Sequence, residues 1–147
     1  MQLSKSQYNE MYKEASEGSK TYITVPKAFV IGGLICMLGE YLITLYGSLG
    51  LDEKLSAAAA SVTLVFISAL LTGLGLYSKL AKHGGAGTLV PITGFANSVV
   101  APAVEFKAEG FVLGLGAKIF IISGPVILYG TLASVVYGLI YWLSTIV

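Results

Sequence analysis

A chain of 147 residues with 55% hydrophobic and 12% charged residues, a mean hydropathy of +0.80 and a net charge of +1 is too apolar for an ordinary soluble domain. Its near neutrality gives no reason to expect nucleic acid as a partner. All nine basic residues are Lys, so no guanidinium fork is present to hold a carboxylate or phosphate at two points.

The charged residues cluster, leaving uncharged runs at 55–78, 84–104 and 119–147, and one at 28–51 broken only by Glu40. A hydrocarbon layer roughly 30 Å thick takes about 20 helical residues to cross. The runs therefore predict an all-α polytopic membrane protein with about four hydrophobic segments, the third broken or re-entrant. A membrane domain over 28–147 follows a polar leader over 1–27.

The leader mixes Lys5, Lys13 and Lys20 with Glu10, Glu14 and Glu17 and has no apolar core, so no secretory signal is recognised and insertion begins with the first hydrophobic segment. Tyr8, Met11, Tyr12 and Ala15 share one face of a short helix there. Pro26 suits the start of the first membrane helix, placed near 28–50. That helix holds Cys36, the single cysteine, which excludes an internal disulfide and a multi-cysteine metal site. Glu40 lies in its middle. A charge there costs at least about 2.5 kcal/mol on insertion scales, so Glu40 must face the bundle interior, be protonated, or pair with a cation such as Lys118.

After the turn "GLDEKL", a second helix is predicted near 56–78, with Ala57, Ser61, Ala69 and Gly73 forming a stripe of small residues interrupted by Val65. Lys20 and Lys27 precede this hairpin, Lys79 and Lys82 follow it, and its turn carries a net charge of −1. The excess of Lys puts the N-terminus and the 79–87 loop in the cytoplasm. His83 reads as a solvated residue of that loop.

The third region, 88–118, is the irregular one. The run 84–104 is long enough to cross a bilayer, yet it contains Pro91, Gly94 and Asn97. Non-helical backbone at membrane depth is tolerated only where protein buries it or it lines a wet cavity. Pro91 removes a backbone donor and pushes Val90 out of helical geometry, while Gly84, Gly85, Gly87 and Gly94 supply permissive backbone. A helix starting after "GAGTLVP" would offer unpaired amides to an anion, with the hydroxyls of Thr88 and Thr93 nearby. The alternative is a packing kink that neighbouring helices satisfy. "EFKAEG" follows, and only eight uncharged residues separate its Glu109 from Lys118, far short of a crossing. Glu105, Lys107, Glu109 and Lys118 are thus expected to border a solute path beside a re-entrant or interrupted hairpin.

The last helix is placed near 119–143. As an unbroken helix its apolar tail would be about 43 Å long, so it must tilt, bend near Gly124–Pro125 or lie partly in the interface. Gly130, Ser134 and Gly138 give it a second small-residue stripe.

"AFVIGGLICMLGE", "ISALLTGLGLY" and "GAGTLVPITGFANSVVAPAVEFKAEGFVLGLGAKIF" resemble the SpoVAC/SpoVAEb family of small SpoVA membrane proteins of spore-forming Bacillota, over roughly residues 27–140. The chain has Glu40 where family members carry Gln. The resemblance implies a subunit of the channel that moves dipicolinic acid, with calcium, into the forespore and releases it during germination. It also implies the inner spore membrane as the location, SpoVAEb, SpoVAD and other SpoVA proteins as partners, and a hetero- or homo-oligomer. The candidate path residues are Glu40, Thr88, Thr93, Asn97, Glu105, Lys107, Glu109 and Lys118, with Gly85, Gly87, Pro91 and Gly94 as the backbone break. No cofactor, metal or enzymatic activity is expected, because one His and one Cys lie in different segments with no motif joining them. Two other functions stay open: a small proton-coupled exporter that uses Glu40, and a structural scaffold.

Overall fold

A computed structural model describes Met11 and residues 20–146; the other members of the proposed leader face, Tyr8, Tyr12 and Ala15, lie outside the described residues. Helix α1 (Thr21–Ser48) starts seven residues before the predicted position, with Pro26 inside it. In its second turn a proline forfeits one backbone hydrogen bond, and the apolar sequence that follows carries the helix on regardless.

The turn into α2 (Glu53–Gly73) is set by Asp52, whose extended backbone and carboxylate cap the helix by accepting from the Leu55 amide at 2.9 Å. Glu53 in the first turn adds a favourable charge at the positive end of the helix. Gly39 faces Leu64 and Gly47 faces Ser56, so α1 and α2 run antiparallel. The Tyr46 and Thr63 hydroxyls share a 2.8 Å hydrogen bond across the pair. The buried stripe of α2 is Ser56, Ala60, Leu64 and Ser68. It lies one residue, or about 100°, away from the predicted stripe of Ala57, Ser61, Ala69 and Gly73.

The predicted second helix stops early. Gly75 adopts φ +70°, a left-handed conformation that ends α2 and opens α3 (Leu76–Gly84). The residues predicted as a 79–87 loop are therefore the end of α3 and most of a 3₁₀ turn, Gly85–Thr88. Helix α4 (Pro91–Glu105) follows, then a second 3₁₀ turn (Lys107–Glu109), a π-helical stretch (Phe111–Gly116) and α5 (Ala117–Ile146). The helix continues through Gly124–Pro125, with only the bond that the Pro125 nitrogen cannot donate missing.

Helices α1, α2 and the run Phe111–Ile146 are long and apolar enough to cross a membrane. With its 15 residues α4 is about 22 Å long and falls short. Among the described residues the fold is entirely helical, with three crossing-length helices and a shorter, interrupted fourth unit built from α3, the 3₁₀ turn and α4. Leu42, Ala60 and Leu64 form the buried apolar centre, with Ile43, Tyr46 and Ile92 packed against it.

Candidate functional site

The interrupted unit turns back within the bundle. Ser68 of α2 donates its hydroxyl hydrogen to the Thr93 carbonyl at 2.7 Å, and Thr72, one turn later, shares its hydroxyl hydrogen between the Ser68 carbonyl at 2.7 Å and Asn97 Oδ1 at 3.0 Å. Both residue numbers rise by four together, so α4 runs parallel to α2, toward the end of the bundle where α1 begins. On the other arm, Gly87 lies against Ala28 and Gly32 of α1, near that same end. Between the two arms Ile92 reaches the Leu42–Ala60–Leu64 centre, and Leu64 faces Gly39. The chain thus descends from the level of Gly32 toward that of Gly39, about 10 Å by helix rise, and climbs out again on α4. This is a re-entrant hairpin with its tip at Leu89–Val90.

Local chemistry fixes the tip. Gly85, at φ +50°, ends α3, and Pro91 is the first residue of α4, where its missing amide donor costs nothing. A methyl group at Gly87 would overlap the Ala28 carbonyl. Only a bare α-carbon lets the tip approach α1 this closely. At Gly94 a methyl would lie 3.1 Å from the Leu89 α-carbon, so this residue lets α4 fold tightly over its own lead-in.

The polar side chains of the hairpin are already engaged. Thr88 and Thr93 are buried, and their hydroxyls donate to the carbonyls of Gly85 at 2.9 Å and Val90 at 3.4 Å. The Thr88 carbonyl accepts the buried Tyr77 hydroxyl at 2.7 Å. These bonds satisfy backbone that lipid would leave bare, which is the requirement for irregular chain at this depth. Ser68, Thr72 and Tyr77 were not singled out from sequence. The signal was present in the spacing Ser56, Ala60, Ser68, Thr72, a stripe of small and polar residues one position from the one chosen.

The remaining candidates occupy two other places. Glu105, Lys107 and Glu109 are exposed at the turn after α4, and Lys118 lays its ammonium over the Phe106 ring, 4.5 Å from the centroid. This string lies at the end of the bundle where the hairpin emerges. Glu40 lies deeper, exposed on α1, and lines a groove of about 290 Å³ with Cys36, Ser61, Val90 and Ile92. Among the described residues no ion pair joins it to Lys118, whose charge is taken up by the aromatic face. His83 falls in the last turn of α3 rather than in a loop, with Nδ1 at 2.9 Å from the Lys79 carbonyl; a carbonyl only accepts, so Nδ1 carries the hydrogen.

Among the described residues no element fills the middle of the bundle beyond the tip. Ile122 and Val126 of α5 share a groove with Leu89, Pro91, Gly94 and Phe95. The same helix face continues as Tyr129, Ala133, Val136 and Tyr137, which line an open groove of about 630 Å³ with nothing from α4 against it. The Glu40 groove lies at the level of the tip, since Val90 and Ile92 help to line it. Among the described residues the hairpin fills one half of the bundle and leaves the other half open beneath its tip.

Residues 24–140 match the SpoVAC/SpoVAEB sporulation membrane protein family. A stage V sporulation protein AC of Bacillus subtilis (strain 168) is 44% identical over 115 residues, which cover 78% of this chain and 77% of that protein. No solved structure matches. The chain belongs to the SpoVAC/SpoVAEB family and is a sporulation membrane protein of the SpoVA type.

Proposed function

We propose that this chain is a membrane subunit of a SpoVA channel that passes dipicolinic acid, with calcium, into the forespore and out again during germination. The observation that carries the reading is the re-entrant hairpin. It brings a helix start and irregular backbone to the middle of the bundle and leaves open space beyond, an arrangement suited to a narrow constriction with a wider vestibule.

Flux is passive and gated. Glu105, Lys107, Glu109 and Lys118 border one mouth, where Lys attracts the dianion and the carboxylates attract its calcium. Glu40 is the charged group beside the tip. Thr88, Thr93 and Asn97 act by holding the tip in place, since their side chains are spent on packing. A chain of this size does not enclose a pore for a rigid dianion alone, so copies of it or the paralogue SpoVAEb complete the wall, with the soluble SpoVAD as a further partner. The inner spore membrane is the location, with the N-terminus cytoplasmic.

The test is reconstitution in liposomes loaded with dipicolinate, with release read by terbium luminescence, for the chain alone and with SpoVAEb and SpoVAD. Release above that of protein-free vesicles supports the reading. No release from any combination, including after an osmotic or ligand trigger, rejects it. The exposed carboxylate in an apolar groove also suits a proton-coupled exporter of lipophilic cations. Uptake of such a cation driven by a pH gradient, without dipicolinate release, would favour that second reading.

A further inference from the structure

Two adjoining grooves lie between α1 and α3 at the end of the bundle where α1 begins, and neither contributes to the hairpin tip. One, of about 380 Å³, is lined by Pro26, Lys27, Val30, Ile31 and His83. The other, of about 270 Å³, is lined by Thr24, Val25, Ala28, Lys82, His83 and the 3₁₀ turn. They share the His83 ring. Lys27 and Lys82 are both exposed, so one lysine rims each groove, on either side of the shared His83 ring. Lys27 immediately precedes the long uncharged run of α1, which places it where lipid headgroups end and acyl chains begin.

From this we infer that the α1–α3 cleft binds the phosphate headgroup of an anionic phospholipid, with one acyl chain lying along Pro26, Val30 and Ile31. The basic rim alone would suit any small anion. The apolar wall below it decides the matter: a free dianion has no use for a strip of Pro, Val and Ile, whereas a phospholipid presents a charge and a hydrocarbon chain in just that order. With the hydrogen of His83 on Nδ1 and given to the Lys79 carbonyl, Nε2 of the neutral ring is an acceptor, so the phosphate is held by the ammonium groups of Lys27 and Lys82 and the His83 ring serves as a wall between them. Thr24 does not compete for the headgroup, since its hydroxyl donates to the Lys20 and Thr21 carbonyls. The inference rests on the membrane placement of the chain and is independent of the flux proposed above.

The experiment uses the full chain in a neutral detergent and counts retained lipid by native mass spectrometry, with phosphatidylglycerol, phosphatidylcholine and free dipicolinate as probes. The expected result is retention of phosphatidylglycerol over phosphatidylcholine. Lys27→Gln with Lys82→Gln should reduce that preference by about fivefold per lysine, while Lys54→Gln at the opposite end of the bundle leaves it unchanged. Val30→Trp fills the apolar strip without touching a charge and should lower lipid retention. Equal retention of the two lipids by the native chain overturns the inference. So does a cleft that binds dipicolinate in competition with lipid and is indifferent to Val30→Trp, because that pattern marks a site for a soluble anion.

Discussion

Helices α2 and α5 have similar apolar sequences and are used differently. α2 buries a residue at every fourth position, Ser56, Ala60, Leu64 and Ser68, whereas Ser123 is the one residue that α5 buries among the described residues, and from Pro125 to Ile146 it is exposed. Small residues alone do not account for this, since α5 has Gly130, Ser134 and Gly138 at the same spacing. What α2 has in addition is a partner on each side: α1 meets it through Gly39 and Gly47, and α4 accepts its hydroxyls. A small-residue stripe becomes an interface only where another element is delivered to it. In this chain the hairpin delivers α4 to α2 and then leaves α5, among the described residues, without a neighbour below the tip.

That contrast can be broken most sharply at the hairpin itself. Gly87→Leu pushes a side chain into the Ala28 carbonyl and should cost about 3 kcal/mol or more, seen as a lowered melting temperature in detergent. Gly33→Leu, on a face with nothing within 4 Å, serves as the control and should be near neutral. Release of the tip from α1 would also raise resting dipicolinate leak, so the two readouts should move together. The groove beside the tip is probed by Glu40→Leu, which removes a charge costing about 2.5 kcal/mol at membrane depth. It should stabilise the isolated chain and depress flux or assembly; unchanged flux and assembly would make Glu40 a tolerated residue.

Smaller effects compare the helices directly. Ser68→Ala deletes the donor to the Thr93 carbonyl and should cost about 1 kcal/mol, while Ser134→Ala on α5 should cost nothing measurable in the isolated chain. An equal loss at both positions would mean that α5 is packed after all. Thr72→Val keeps the shape and removes the bond to Asn97, for a loss of about 0.6 kcal/mol. A double cycle with Asn97→Leu should recover that amount as coupling, and zero coupling would remove the Thr72–Asn97 bond from the account of why the hairpin returns along α2.

Several features were legible in the sequence because short-range physics sets them. The length of uncharged runs gives membrane helices wherever lipid is the solvent. Pro91, with glycines on both sides, forbids a continuous helix through 84–94, and the break lies there. The eight residues between Glu109 and Lys118 cannot cross a bilayer, and the structure makes them the Gly110 turn and the π-helical stretch that lead into α5. Other features were misjudged for equally physical reasons. Starting α1 at Pro26 assumed that proline would not be carried in a second turn, and running α2 to residue 78 overlooked that Gly75 is free to adopt a positive φ.

By itself, then, the sequence determined that this protein is an α-helical membrane bundle with a flaw near Pro91, since desolvation of the backbone and the stereochemistry of proline and glycine act within a few residues. Which stripe of α2 is buried, the direction in which α4 leaves the tip, and the emptiness of the half beneath it were decided by tertiary structure alone. A rotation of about 100° separates the buried stripe from the predicted one, and no local preference distinguishes them. The choice is made by contacts such as Ser68 to Thr93, 25 residues apart, and by the fit of Gly87 against Ala28. Those exist only once the hairpin has folded back against helices laid down earlier in the chain.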